Sequence, residues 1–207
     1  TWRNEDIISL LSETRNLQGR LLGKMESLAF DLRKEALLET LTLDVIKSSE
    51  IEGEILNSDQ VRSSIAKRLG MKIAGSVDAD RNVDAVVEMM MDATQNCFNP
   101  LTKERLFDWH AALFPTGRSG LYKITVAEWR TDSSGPMQVV SGAMGKEKVH
   151  YEAPDSKLLE NEMQRFLNWF NNYDKIDLVL KAAVAHFWFV TIHPFDDGNG
   201  RITRALT

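Results

Sequence analysis

Within Ile192-His193-Pro194-Phe195-Asp196-Asp197-Gly198-Asn199-Gly200-Arg201-Ile202-Thr203-Arg204 stand a histidine, two aspartates, a Gly-Asn-Gly run and two arginines. Each has a chemical use. His193 titrates near neutrality and can accept a proton from an attacking hydroxyl. Asp197 is a hard oxygen ligand, suited to Mg²⁺ that bridges phosphates. Gly198, Asn199 and Gly200 tolerate φ > 0, and a glycine pair lets phosphate oxygens approach the main chain. Arg201 and Arg204 are three apart, so on a helix they face one side and can grip further phosphates. Asp-Gly-Asn-Gly alone is ordinarily a turn, and His-Pro at a helix end is commonplace. A base, a cation ligand, a phosphate cradle and a charge clamp within twelve residues point to phosphoryl-group chemistry.

Two helices must hold these groups. Leu178 to Ile192 is apolar nearly all round, which predicts a central helix covered on every side. Pro194 disfavours the α conformation at His193, so that helix should end at or near the histidine. Ile202, Ala205 and Leu206 resume an apolar spacing, so a second helix should start near Gly200. Its free N–H groups and the positive end of its dipole would converge on an anion.

The rest of the chain reads as all-α with one β-hairpin. Asn4 can cap a helix carrying Ile7, Leu10, Leu11, Leu17, Leu21, Met25 and Leu28. A second helix runs from about Asp31 with Leu37, Leu38, Leu41, Val45 and Ile46, and Gly53 should stop it in the left-handed conformation. Ser58 can cap a third, with Val61, Ile65 and Leu69 inward and Gly70 as its stop. A fourth spans about Asp80 to Asn96, and a fifth is capped by Thr102 and ends at Phe114. From Gly117 to Pro154 the helical period is lost. There Met137–Val140 and Lys148–Tyr151 flank Ser141-Gly142-Ala143-Met144-Gly145, a hairpin with a longer loop. Helices resume after Asp155, with Leu159, Met163, Phe166, Leu167 and Phe170 as a stripe.

Composition narrows the class. A formal charge of −5 is a poor footprint for a dedicated nucleic-acid binder. The single cysteine, Cys97, excludes an intrachain disulfide and is expected to be a small buried hydrophobe. No basic-then-apolar leader opens the chain, and no apolar run reaches the roughly 18 residues of a membrane span. A cytoplasmic protein is expected. His110 and His186 sit in apolar helices and read as core or edge histidines, and no Cys/His cluster has metal-ligand spacing.

His193-Pro194-Phe195-Asp196-Asp197-Gly198-Asn199-Gly200-Arg201, with Arg204, matches the signature of the Fic family position by position. The resemblance implies a helical Fic bundle with a β-hairpin flap and a protein adenylyltransferase, which moves AMP from ATP to a Tyr, Thr or Ser hydroxyl of a target. His193 would be the base and Asp197 the Mg²⁺ ligand. Gly198, Asn199 and Gly200 would form the anion hole, with the Asn199 amide on phosphate. Arg201 would bind the β-phosphate and Arg204 the γ-phosphate, while Phe195 anchors the loop in the core. Gly200, where Doc-type relatives that phosphorylate their targets have Lys, resembles the adenylylating majority. The flap, with Gln138, Val139, Val140, Val149 and Tyr151, would receive the target backbone as an added strand.

Ser48-Ser49-Glu50-Ile51-Glu52-Gly53 resembles the family's inhibitory segment. Ser48, Glu52 and Gly53 carry the pattern, and Glu52 would pair with Arg204 and block the γ-phosphate. The resemblance divides the chain into a helical extension, 1–70, and a catalytic core, 71–207. Because the chain ends at Thr207, the core is expected to be incomplete at its C-terminus, with any nucleic-acid contact left to a module beyond it. Partners are then a target protein, the chain itself included, and a homodimer stays open. A silent nucleotide-binding regulator and a Fic-type transferase with another donor remain alternatives.

Overall fold

A computed structural model describes residues 3–133, 135–143, 145–172 and 176–207. Helices dominate: α1 Asn4–Ser27, α2 Phe30–Ile51, α3 Ser58–Arg68, α4 Arg81–Gln95, α5 Lys103–Leu113, α6 Leu159–Asn171, α7 Leu178–Ile192 and α8 Asn199–Leu206. Two small antiparallel pairs interrupt them between α5 and α6. One joins β1 Arg118–Ser119 to β2 Tyr122–Lys123, and the other joins β3 Gln138–Ser141 to β4 Lys148–Glu152. The expected fold class, all-α with a hairpin, is the one observed; the short β1–β2 ladder is an addition.

The core lies between α2, α3, α4, α5, α6, α7 and α8. Leu38, Val45, Val61, Ile65, Val87, Leu106, Phe166, Phe189, Phe195 and Ile202 are fully buried. Most stops and caps fall where the residues put them. Gly53 and Gly70 are left-handed at φ +78 and +68, and Asp80 and Thr102 cap α4 and α5 through their side chains. Asp155 caps a short 3₁₀ turn, Ser156–Leu158, that leads into α6.

Several expectations are corrected. Asn57, not Ser58, caps α3, its Oδ1 accepting from the Asp59 and Gln60 amides. An Asn one residue upstream satisfies the same orphan donors, so Ser58 becomes the first helical residue. α1 begins at Asn4 itself, with Arg3 at the capping position. Trp2 and Met144 lie outside the described residues. Cys97 is exposed rather than buried, because it follows the end of α4 in a surface turn. α7 is not covered on every side. Ala185, Phe189 and Ile192 are buried, yet Phe187 remains 72% exposed. Its packing is against α6 and α8, which leaves another face bare. α1 stands off the body likewise: Leu10, Leu17 and Leu21 are exposed, and the Arg15–Asp177 ion pair at 2.8 Å ties it to the start of α7. No described helix is long and apolar enough to cross a membrane.

Candidate active site

α7 closes its last turn with the His193 amide on the Phe189 carbonyl and then breaks at His193 itself, which is left-handed at φ 51. A non-glycine residue in that region costs on the order of 1–3 kcal/mol, so the surroundings must hold it there. Arg130 does so. Its side chain is buried, its Nε donates to the His193 carbonyl at 2.8 Å, and its backbone amide donates to the Pro194 carbonyl at 2.8 Å. The same guanidinium reaches Pro154, at the exit of β4, and pairs with Asp132 at 2.6 Å. Burial pulls the His193 imidazole below its ordinary range and the Arg130 charge adds to this, against a hydrogen bond to the Val190 backbone and the pull of Asp197. The ring is therefore neutral near pH 7, the form a base requires.

Beyond His193 the loop is stapled from inside. Phe195 is fully buried and stacks on His110 with centroids 4.2 Å apart. The Asn199 side chain accepts from the Phe195 amide at 3.0 Å and donates to the Phe195 carbonyl at 2.8 Å. That amide, expected on phosphate, is here spent on closing the loop. Asp196 accepts from the Thr125 amide at 2.8 Å. His110 is buried, as a core histidine. Its Nδ1 accepts from the Ala127 amide, which assigns the hydrogen to Nε2 and makes it a donor to the Asp197 carbonyl at 3.2 Å. Burial lowers its pKa to about 4, in keeping with that neutral tautomer.

Gly198 alone of Gly198, Asn199 and Gly200 is left-handed, at φ +80. A Cβ there would also meet the Phe114 ring at 2.8 Å. Asn199 and Gly200 are already the first residues of α8, whose N-terminus no side chain caps. Its amides are thus open to an anion. The Asp197 carboxylate accepts from the Gly198 amide at 2.6 Å and from the Ser119 hydroxyl.

Two carboxylates from the end of α2 reach this helix. Glu52 pairs with Arg204 at 2.6 Å, and Ser48 accepts from Arg204 twice, through its hydroxyl and its carbonyl, both at 2.9 Å. A Cβ at Gly200 would lie 2.1 Å from Glu52 Oε1, so the carboxylate rests against the first turn of α8 and a side chain at Gly200 would collide with it. Gly53 turns the chain, and Glu54 then pairs with Arg201 at 2.8 Å. The Arg201 guanidinium also lies over the Phe114 ring, 5.0 Å from its centroid.

The hairpin lies against the end of α7. Tyr151 donates its hydroxyl to the Thr191 carbonyl at 2.7 Å, two residues before His193. Gln138 bonds Glu152 across the ladder, a bulge separates Val139 from Val140, and Val139, Val140 and Val149 are exposed. His150 bonds Ser141 within the hairpin, and His186 lies on the exposed side of α7. The structure therefore gathers His193, Asp197, Gly198, Gly200, Arg201, Arg204, Ser48 and Glu52 at one place. It adds Arg130, Ser119, His110 and Glu54, none of which local spacing had marked. Only Glu54 carried a signal, as an acid directly after the predicted glycine stop.

Among the described residues no group of three or more His, Cys, Asp or Glu could hold a metal by itself. Asp197 is a lone carboxylate with one protein donor on each oxygen, and each oxygen keeps a lone pair. It suits a cation that takes its other ligands from water and substrate phosphates, which is how Mg²⁺ binds.

A profile of the Fic/DOC family matches residues 100–207. The chain belongs to the Fic/DOC family. Residues 1–71 match a second profile, a domain of unknown function, DUF4172. Protein adenylyltransferase fic-1 of Caenorhabditis briggsae is 26% identical over 98% of this chain, and the match spans 40% of that protein. The probable protein adenylyltransferase aq_aa38 of Aquifex aeolicus is 39% identical over 56 residues, 27% of this chain and 18% of its own length. The chain thus spans less than half of each of these relatives. Among solved structures, a Fic family protein from Desulfovibrio desulfuricans has a TM-score of 0.62 at 23% identity, covering 100% of this chain and 57% of its own. A Fic domain-containing signalling protein from Bacteroides thetaiotaomicron reaches 0.64 at 21% identity, covering 89% and 67%. At such identities these two support the fold.

Proposed function

We propose that the chain is an auto-inhibited protein adenylyltransferase, in which an extension, 1–70, closes the nucleotide site of a core, 71–207. The observation that carries this reading is the Glu52 carboxylate on Arg204, against the uncapped first turn of α8, where an anion belongs. The relatives' names, protein adenylyltransferase, favour AMP as the group moved.

In the open form the α-phosphate of ATP lies at the N-terminus of α8, and Arg201 and Arg204 take the β- and γ-phosphates. Neutral His193 accepts the proton of a target Tyr, Thr or Ser hydroxyl. The hydroxyl oxygen bonds to the α-phosphorus as the bond to the bridging oxygen breaks, and pyrophosphate leaves. Arg130 keeps His193 at the mouth of the loop, and Ser119 and His110 hold Asp197 from its side chain and its carbonyl. Asp197 would hold Mg²⁺, which would neutralise charge on the α- and β-phosphates. The hairpin takes the target backbone along an exposed edge and brings the hydroxyl to His193. A target on the same chain is included.

Incubating the protein, as the parent and as the Glu52→Gly variant that frees Arg204, with Mg²⁺ and ATP labelled at the α-phosphate tests this reading. An adenylyl mass on a protein hydroxyl is expected. A different mass increment would name another donor, and bound ATP without label would favour a nucleotide-binding regulator.

A further inference from the structure

Glu54 makes a contact that the family pattern does not describe. It follows Gly53, and its amide bonds back to the Ser49 carbonyl, which aims its side chain at Arg201 rather than Arg204. The two partners differ in freedom. The Glu54 side chain is 47% exposed, whereas that of Arg201 is 5% exposed. Arg201 is clasped over Phe114, and its Nε is buried without a hydrogen-bond partner. One carboxylate therefore leaves a donor of this guanidinium unused, while a phosphate offers more acceptor oxygens. A cavity of about 530 Å³ opens beside the pair, lined in part by Glu54, Leu56, Asn82, Phe114 and Arg118. A buried guanidinium stripped of its anion is costly, so Glu54 should leave as phosphate arrives, an exchange of anions on a fixed cation.

We propose that Glu54 is a second gate on the phosphate site, holding Arg201 as Glu52 holds Arg204, so that the resting chain turns away nucleoside diphosphates as well as triphosphates. The proposal rests on the nucleotide-site reading above and deepens it. A diphosphate needs no Arg204, so Glu52 alone would not exclude it; the carboxylate on Arg201 would. A triphosphate meets both gates.

Calorimetric binding of ADP and of ATP to the parent, E54Q, E52Q and the double variant tests this, with E50Q as a control for loss of one negative charge from the same exposed helix end. E54Q keeps an amide oxygen for Arg201 but takes away the anion of that buried guanidinium, so its melting temperature should fall somewhat, and binding is measured well below it. E54Q is expected to tighten ADP by roughly ten- to a hundredfold, with little gain in ATP, while E52Q leaves ADP weak and the double variant binds both. ADP affinity in E54Q equal to the parent's, while the double variant binds ATP, would overturn the second gate and leave the site reading standing. An equal gain in E50Q would reduce the effect to net charge and overturn it as well. No nucleotide bound by the double variant would overturn the site reading and the proposal together.

Discussion

The loop between α7 and α8 and the β3–β4 hairpin both meet the end of α7 near His193, and they are built on opposite terms. Along the loop nearly every polar group is engaged. Asn199 closes on Phe195, Asp196 takes Thr125, Asp197 takes Gly198 and Ser119, and Arg130 takes the His193 carbonyl. Along the hairpin both strands are exposed or nearly so, with a tether from Tyr151 to Thr191 at the end of α7. The contrast fits a division of labour. Reacting groups need positions fixed to fractions of an ångström, whereas a strand edge that reads backbone must stay open.

Substitutions in the loop should therefore act on chemistry or stability, and those in the hairpin on target affinity. The largest effect is expected for His193→Ala, in which labelling by ATP falls about 10²–10⁴-fold while ATP affinity holds. Rates as fast as the parent's would take the base role from His193. In the parent, the lowered pKa of His193 keeps the ring neutral to below the ordinary histidine value near 6.5, so labelling should hold as pH falls through that value and decline only below it. A decline centred above 6.5 would contradict the burial argument. Next is Asn199→Ala, which strands the Phe195 amide and carbonyl in a buried loop. A loss of about 2 kcal/mol is expected, seen as a melting temperature lower by roughly 4–8 °C. An unchanged melting temperature would mean that the loop does not need its staple. The smallest is Tyr151→Phe, which releases the hairpin tether at a cost of about 1 kcal/mol. It should raise KM for the target about fivefold and leave ATP affinity alone. An equal loss in kcat would place Tyr151 in the chemistry instead.

Much of the site was legible in the residues because its groups are neighbours in sequence. His193 to Arg204 lie on one turn and one short helix, so local rules for proline, glycine and helix starts locate them, with Gly198 as the single left-handed residue of Gly198, Asn199 and Gly200. The Ser48–Gly53 segment was legible by resemblance. What escaped was long-range. Arg130 meets His193 across 63 residues and Ser119 meets Asp197 across 78, and no periodicity encodes such pairs. The bare face of α7 escaped for a related reason. A helix apolar all round gives no direction for its burial, so sequence shows that it can be covered but not by what.

If a carboxylate from the end of α2 keeps a competent site shut, Glu52→Gly opens it. Labelling from α-phosphate-labelled ATP and Mg²⁺ is compared between the parent and the variant, with equal melting curves as the check on folding. Labelling in the variant is expected to be about 10²-fold faster, because Arg204 is freed for the γ-phosphate and the α-phosphate is no longer misaligned. Labelling equal to or slower than the parent's would make Ser48–Gly53 an ordinary helix end and leave Glu52 with no inhibitory role.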